Sequence, residues 1–373
     1  MKKTETFFSI IIAFITVFLA LMLVFLPKKD FSENENRVLK AFPSISSKNV
    51  FKGSFFEDTD KYLSDHFPFK DNMIASKTLF EKNILLKKDI NNIYIAQDGY
   101  CIEKYSKPQN LEKIAKTLKK FKESINKDTR LVFMPVPTAV SIYKDKLPRY
   151  AYNYDQEETV NYLCENTSIE SIKLQDAFTQ NKDKELYYRL DHHWTTEGAY
   201  IAYKEYMNYM GLKPKDESYF VKKDVTNSFK GTVYSKLGYS NSQDTIKAYF
   251  TPFDIKKSLF VEYDGEKSNS LYNDEYLDKK DKYSYFLDNI HSLTVVTNNE
   301  AESNEEIAII KDSYANCFVP LLTPHYKKIY VFDTRNYLGK VSDFLKENSN
   351  IKTVLILYNM GTIDTDTGIN MIS

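Results

Sequence analysis

The 373-residue sequence lacks an excess of charge of either sign, because 51 lysines and arginines balance 51 aspartates and glutamates. It also lacks a dominant block of basic residues, which a nucleic-acid-binding surface needs in order to face phosphates. A nucleic-acid partner is therefore disfavoured. The length is sufficient for one large domain or two, with ample material for a hydrophobic core.

Cysteine is scarce as well. The three cysteines, Cys101, Cys164 and Cys317, are widely spaced and odd in number. This pattern contains neither a disulfide framework nor a CxxC metal pair. We interpret the three as buried small apolar residues, and we predict no metal and no cofactor.

A long hydrophobic run occurs near the N-terminus, where Phe7 to Leu26 form twenty uncharged residues. This is about the length of a helix that crosses the hydrocarbon of a bilayer. No small-residue cleavage site follows in "LVFLPKKD", so the run favours an uncleaved signal anchor over a cleaved signal peptide. A short tail before it and a large polar region after it predict a single-pass membrane protein with an extracytoplasmic domain.

The rest of the chain shows α/β organisation. From about residue 91, strand-like and helix-like segments alternate, and the last quarter repeats strand, helix, strand, helix, strand. This rhythm predicts parallel strands joined by right-handed crossovers. Residues 214–304 have no clear helical period and are interpreted as an insertion with irregular or β structure. The predicted organisation is an anchor, a tether with a helical region and an α/β domain, at residues 1–27, 28–90 and 91–373.

Individual elements follow from hydrophobic periodicity and from capping or turn residues. Helices are predicted at 71–88, 110–125, 155–166, 196–210, 314–322 and 339–348. Strands are predicted at 91–100, 131–137, 168–176, 306–313, 327–333 and 351–359.

The segment "RLDHHWTTEGAY", residues 189–200, holds two of the five histidines and the single tryptophan. Asp191 and His193 are two positions apart, so in extended backbone their side chains leave on the same face. A carboxylate placed there can hold an imidazole in the tautomer that accepts a proton from a serine. We therefore predict His193 as a general base and Asp191 as its orienting group.

The two neighbours of His193 have open interpretations. His192 would point the other way in an extended segment, which suggests a structural or substrate-facing side chain. Trp194 is interpreted as a support for the imidazole, as an aromatic face for a sugar ring, or as a core residue.

Ser313 is the candidate nucleophile. It follows the strand-like "EIAIIK" where a helix begins, and functional groups collect at the carboxyl ends of strands in an open parallel sheet. The first helical N–H groups can stabilise an oxyanion there. The alternative is that Ser313 is an ordinary helix cap.

Further motifs accompany these two, namely "ENENRVLKAFP", "DHFPF", "DGY", "PVPTAVSIYKDKLP", "KDSYANCFVPLL" and "VFDTRNY". Their order resembles that of the DHHW family over nearly the whole chain after the anchor. That family is similar to the AlgX/AlgJ-type alginate O-acetyltransferases, whose catalytic domain is SGNH-hydrolase-like. The resemblance implies a three-layer α/β/α fold with a mostly parallel sheet and a triad of Ser313, His193 and Asp191.

The resemblance also carries details of the site. Arg335 in "VFDTRNY" and Tyr358 in "LILYNM" look similar to the family's active-site arginine and tyrosine, with a surface ion pair and a buried aromatic as their alternatives. Where the alginate enzymes read Gly-Asp-Ser, this sequence reads Lys-Asp-Ser at 311–313, so it lacks the glycine before the motif's aspartate.

The resulting hypothesis is an extracytoplasmic O-acetyltransferase that acts on a cell-surface or secreted polysaccharide through an acyl-enzyme. The resemblance implies a multi-span membrane acyltransferase as its acetyl-donor partner. Two alternatives stay open: a carbohydrate acetyl esterase with the same triad, and a non-catalytic glycan-binding or assembly component. A metal-dependent DHH phosphoesterase is disfavoured, because the additional aspartate motifs that such enzymes need are not found.

Overall fold

The computed structural model describes residues 2–32, 34–35 and 37–373, which divide into two compact units. One unit comprises the residues up to Lys87 together with Ser235–Tyr239. The other comprises Lys88–Tyr234 and Ser240–Ser373, and it contains every candidate site residue. The domain limits at residues 27 and 90 stay predictions.

The first unit begins with an apolar helix, within which Thr4–Phe25 is long and apolar enough to cross a membrane. The helix predicted at 71–88 is present but ends at Asn83, because Leu86 adopts a left-handed conformation with φ 53°. The described elements of this unit are α1 (Lys2–Phe25), β1 (Phe31–Ser32), β2 (Arg37–Val38), α2 (Ser47–Phe51), α3 (Ser54–Asp65) and α4 (Lys70–Asn83).

The strands of the second unit confirm the predicted α/β rhythm. In chain order they are β3 (Asp89–Ile90), β4 (Ile93–Ile95), β5 (Cys101–Glu103), β6 (Arg130–Val136), β7 (Glu170–Ser171), β8 (Val221–Phe229), β9 (Asp244–Phe250), β10 (Phe260–Tyr263), β11 (Glu266–Ser268), β12 (Leu293–Thr297), β13 (Glu306–Lys311), β14 (Lys328–Asp333) and β15 (Ile351–Asn359).

The helices connect these strands. They are α5 (Leu111–Ser124), α6 (Ala139–Ile142), α7 (Gln156–Thr167), α8 (Gln175–Gln180), α9 (Thr196–Tyr209), α10 (Thr232–Leu237, which ends in the first unit), α11 (Pro252–Lys256), α12 (Val319–Leu322) and α13 (Val341–Glu347). Short 3-10 helices lie at Gln97–Gly99, Lys144–Lys146, Glu217–Tyr219, Asp274–Asp278, Lys282–Tyr285, Ser313–Cys317 and Gly368–Met371.

Eight of the described strands form the main sheet, in the order β11-β10-β12-β14-β13-β15-β6-β7. The neighbours from β14 to β7 run parallel, and β11, β10 and β12 extend the sheet by antiparallel pairing. Ile307–Ile310 of β13 and Val354–Tyr358 of β15 are fully buried, as expected for parallel strands covered on both faces. The predicted fold class, an α/β fold with a mostly parallel sheet, is confirmed.

Two elements differ from the sequence prediction. The strand predicted at 91–100 is confined to β4, because a 3-10 turn follows in which Asp98 has φ 56°. The helix predicted at 314–322 is divided into the 3-10 helix Ser313–Cys317 and α12. The region at 214–304, for which irregular or β structure is predicted, contains β8 to β12, and β10, β11 and β12 continue the main sheet.

Candidate active site

The segment that contains His192 and His193 forms a tight turn rather than the extended backbone that the sequence suggested. An antiparallel bridge between Tyr187 and Trp194 closes the turn. Asp244, at the start of β9, accepts hydrogen bonds from the backbone N–H groups of Arg189 and Leu190, at 2.8 Å each. The position of the turn is therefore fixed by a carboxylate from the insertion.

Within this turn, a carboxylate, an imidazole and a hydroxyl form a continuous hydrogen-bonded chain. Asp191 Oδ1 lies 2.5 Å from His193 Nδ1 and also accepts the His193 backbone N–H at 3.0 Å. His193 Nε2 lies 2.7 Å from Ser313 Oγ. With the proton on Nδ1 held by Asp191, Nε2 accepts the Ser313 hydroxyl. This arrangement can remove a proton from Ser313.

The second oxygen of Asp191 is bound by the residues that follow β8. Asp191 Oδ2 accepts the Thr232 backbone N–H at 2.8 Å and the Thr232 hydroxyl at 3.2 Å. Gly231, the residue before Thr232, lies so close to Asp191 that a Cβ at position 231 would be 2.0 Å from Asp191 Oδ2. The carboxylate of Asp191 is therefore fully engaged, and only a residue without a side chain fits beside it.

Burial sets the charge states of the pair. Burial lowers the pKa of His193 to about 4, assisted by the neighbouring His192 and opposed by Asp191. Burial acts to raise the pKa of Asp191, but His193, His192 and the Thr232 amide hold it well below its usual range. At neutral pH the site thus contains an ionised carboxylate and a neutral imidazole, which is the form that a general base requires.

The carboxyl end of β13 positions Ser313. Asp312 caps the following turn by accepting the Tyr314 N–H at 2.9 Å, and its other oxygen accepts the Asn359 N–H at 2.8 Å and the Thr362 hydroxyl at 2.5 Å. Burial raises the pKa of Asp312. These bonds join the end of β13 to the end of β15, so the backbone of Ser313 is held from two strands.

The histidine turn and the serine turn are also bonded to each other. The indole N–H of Trp194 donates to the Tyr314 carbonyl at 2.8 Å, and the Tyr314 hydroxyl donates to the His192 carbonyl. His193 and Ser313 come from distant parts of the sequence. Their relative position is therefore fixed by hydrogen bonds besides the one that joins them.

Lys311, two residues before Ser313, is buried. Its Nζ lies 2.9 Å from Asp333 Oδ2 on β14 and 2.9 Å from Asn316 Oδ1. Arg335 Nε donates to Asp333 Oδ1 at 2.8 Å. Burial lowers the pKa of Lys311. The lysine therefore supports the turn of Ser313 from within the protein.

The four predicted substrate-binding residues have different environments. Trp194 and Tyr358 are completely buried; the Tyr358 hydroxyl is 2.7 Å from Thr334 Oγ1. Arg335 is exposed beside the site, and its charge contributes to the low pKa of His193, after burial and His192. His192 is partly exposed, with Nδ1 2.7 Å from Thr232 Oγ1. Trp194 and Tyr358 thus pack in the core, while Arg335 and His192 can be reached from solvent.

A cavity of about 440 Å³ lies against the carboxylate side of the triad-like chain. Asp191 and His192 form part of its lining, together with the segment around β5. The loop after β15, including Gly361 and Thr362, also lines the cavity. The cavity is large enough for one or two sugar units.

Asp191, His192 and His193 satisfy a distance criterion for metal binding. One ligand atom from each of Asp191, His192 and His193 lies within 4.8 Å of the others. However, Asp191 Oδ1 and His193 Nδ1 are bonded to each other, and His193 Nε2 is bonded to Ser313. The donor atoms are thus engaged in a proton-transfer chain, and the geometry favours that chemistry over metal binding.

Several residues of the site carry no sequence signal. Thr232, Asp244 and Tyr283, whose ring stacks on His193 with centroids 3.7 Å apart, belong to the insertion at 214–304, and no motif marks them. Asp312 is different, because an acidic residue before a strand-end serine is recognisable as a possible helix cap. A search for caps at strand ends would therefore have found Asp312 but not the other three.

The comparisons with known proteins agree with this fold. A crystal structure of a DHHW family protein from Eubacterium siraeum DSM 15702 is similar with 23% identity and a TM-score of 0.66, covering 76% of this chain and 95% of that one. The structure of Bacillus cereus PatB1 with a sulfonyl adduct is similar with 21% identity and a TM-score of 0.62, covering 75% and 100%. The O-acetyltransferase domain of Pseudomonas putida AlgJ is similar at 12% identity with a TM-score of 0.45, covering 74% and 93%.

No curated relative matches the chain in sequence. The family model described as DHHW protein matches residues 88–332, which is more than half of the chain. This match confirms the resemblance predicted from the motifs. The chain therefore belongs to the DHHW protein family.

Proposed function

We propose that this protein is a membrane-anchored, extracytoplasmic O-acetyltransferase that transfers acetyl groups to a polysaccharide through an acyl-enzyme at Ser313. One observation carries the proposal: Ser313 Oγ lies 2.7 Å from His193 Nε2, while Asp191 binds the other imidazole nitrogen. The membership of the DHHW family and the resemblance of its motifs to alginate O-acetyltransferases support acetyl as the group transferred.

In the first step, Ser313 Oγ attacks the carbonyl carbon of an acetyl donor while its proton passes to His193 Nε2. Asp191 stabilises the imidazolium that forms. The tetrahedral intermediate collapses when the bond to the donor breaks, and the leaving group takes the proton from His193. The amide of Ser313, the first in its helical turn, is a candidate donor to the oxyanion.

In the second step, a sugar hydroxyl attacks the acetyl-serine. The hydroxyl proton passes to His193 Nε2, the bond between the acetyl carbon and Ser313 Oγ breaks, and Oγ takes the proton back. Water in place of the sugar would give hydrolysis. Transfer therefore requires that the acceptor hydroxyl, and not water, reach the acetyl group on Ser313.

The test is an acetyl-transfer assay with the full chain in detergent and an activated acetyl ester. We expect acetylated sugar when oligosaccharides are added, detected by mass spectrometry, and less free acetate than in their absence. Equal acetate release with and without oligosaccharide, and no acetylated sugar, would support the carbohydrate esterase instead. If the wild type cleaves no ester, and Ser313→Ala binds glycan as the wild type does, the non-catalytic alternative is supported.

A covalent probe tests the nucleophile independently of the acceptor. PatB1 has been solved with a sulfonyl adduct, and sulfonyl fluorides modify activated serines. We expect a sulfonyl fluoride to label this protein at Ser313, as mapped by peptide mass spectrometry, and Ser313→Ala to remain unlabelled. Labelling of another residue at the same rate in both proteins would contradict the assignment.

The anchor and the donor partner complete the proposal. An apolar helix of the length of α1 can keep the catalytic unit close to a membrane protein that supplies acetyl groups from the cytoplasmic side. We expect protease added outside spheroplasts to degrade the second unit and leave a fragment containing α1 in the membrane. Protection of the second unit until the membrane is dissolved would contradict this orientation.

A further inference from the structure

The insertion places an aromatic ring directly on the imidazole of His193. Tyr283 belongs to the 3-10 helix Lys282–Tyr285, and its side chain is buried, with the residue only 3% exposed. The ring centroids of Tyr283 and His193 are 3.7 Å apart, and the ring planes differ by 11°. One face of the imidazole is therefore covered by the phenol ring, while its two nitrogens are bonded to Asp191 and Ser313.

The hydroxyl of Tyr283 contacts the turn that carries the nucleophile. Its oxygen lies 3.3 Å from the Ser313 carbonyl oxygen and 3.3 Å from Cys317 Sγ. The hydroxyl has one proton, so it donates to one of these acceptors at a time. Tyr283 thus touches the base with its ring and the nucleophile's own backbone with its hydroxyl.

We propose that Tyr283 is a positioning residue for the reaction, whose ring holds the His193 imidazole in the plane that joins Asp191 to Ser313 and excludes water from its face. The proposal rests on the proposed function for its catalytic meaning. The effect of the ring on the orientation and hydration of His193 does not depend on the substrate.

Two effects of the ring on the protonation of His193 oppose each other. Exclusion of water disfavours the imidazolium, and full burial can lower the pKa of a histidine by as much as ~3 to 5. The ring's π face attracts the imidazolium and would raise the pKa by about 1. Burial is the largest contribution to the lowered pKa of His193. Because the phenol ring covers one face of the imidazole, we expect its exclusion of water to outweigh its attraction for the imidazolium, so removal of the ring should raise the pKa.

Other ionisable groups lie around His193 and must be held constant in the test. They are Asp191 and His192 on its own turn, Tyr314 and Cys317 after Ser313, Arg335 after β14, and Asp281 in the insertion. A substitution at Tyr283 leaves the charges of all the others in place, because Tyr283 itself is neutral; burial raises its pKa well above the usual value.

The experiment compares Tyr283→Ala and Tyr283→Phe with Tyr285→Ala. Tyr285 lies in the same 3-10 helix and is 2% exposed, but its ring contacts are to Tyr272 and Phe286. Tyr285→Ala therefore removes an equally buried tyrosine without uncovering His193. The readouts are the imidazole pKa of His193, from NMR titration of histidine-labelled full chain assigned with His193→Gln, and the pH profile of ester cleavage.

For the wild type we expect the rate to be constant from about pH 8 down to pH 5 and to fall as His193 becomes protonated near its pKa of about 4. Tyr283→Ala should raise that pKa by about 1 or more and move the acid limb with it. It should also lower the plateau rate by about 10- to 100-fold, because the imidazole loses its orientation. Tyr283→Phe, which keeps the ring, should retain the wild-type pKa and profile.

The proposal is overturned if Tyr283→Ala leaves the His193 pKa unchanged, or if Tyr285→Ala moves it equally. If Tyr283→Ala does not fold, as judged by thermal unfolding, Tyr283→Leu is used, with a smaller expected shift in the same direction. The NMR titration separates this proposal from the proposed function. A protein without acetyl-transfer activity would overturn the function, while the His193 pKa would still decide whether the ring controls the imidazole.

Discussion

Ser313→Ala is expected to lower the rate of acetyl transfer by about 10⁴- to 10⁶-fold and to leave no detectable acetyl-enzyme. The change removes the hydroxyl that lies 2.7 Å from His193 Nε2, so the imidazole loses the nucleophile that it would deprotonate. The fold should be almost unaffected. Ser313 is half-buried, and loss of its hydrogen bond costs about 1 kcal/mol. Intact-protein mass spectrometry after mixing with an acetyl donor gives the acetyl-enzyme directly.

Ser270→Ala is a matched control for this change. Ser270 is also half-buried, and its hydroxyl donates one hydrogen bond, to the Tyr272 carbonyl at 2.8 Å. The control should keep the wild-type rate and lose a similar amount of stability. A Ser313→Ala protein that retains more than about a tenth of the activity would show that the reaction does not pass through this hydroxyl.

The grouping of Asp191, His193 and Ser313 could be predicted from the sequence for a simple geometric reason. Asp191 and His193 are two positions apart, and both the extended backbone predicted from the sequence and the tight turn observed bring their side chains together. Ser313 follows a buried apolar strand, and strand ends in a parallel sheet share one edge. Both features depend on residues that are close in the sequence. They can therefore be predicted even where the predicted backbone conformation is wrong.

The surroundings of the base could not be predicted, because they depend on contacts across long stretches of chain. Tyr283 and Thr232 come from the region at 214–304 or its borders, where no periodicity indicated structure. For Trp194 and Tyr358, the sequence left two different environments open. An aromatic residue beside a polar motif is compatible with a sugar-binding face or with the core, and only packing distinguishes the two.

Gly231→Ala is expected to lower activity by about 100-fold, although the residue takes no part in the chemistry. A Cβ at position 231 would lie 2.0 Å from Asp191 Oδ2 and 2.4 Å from its Cγ, distances that real side chains do not adopt. Either the carboxylate or the Thr232 backbone must move. In each case Asp191 loses the Thr232 N–H bond at 2.8 Å, and the support of His193 shifts with it.

A purely structural effect would lower stability without a specific loss of rate, so both must be measured. Overpacking at a buried site costs about 1 to 3 kcal/mol, which thermal unfolding detects. Gly238→Ala is the steric control, because its φ is 69° and its Cβ would lie 2.9 Å from the Ala75 backbone nitrogen and away from Asp191. We expect both variants to be destabilised, but only Gly231→Ala to lose sulfonyl labelling of Ser313 while folded. Equal labelling of the two would mean that the engagement of Asp191 by the loop at 231–232 does not activate the serine.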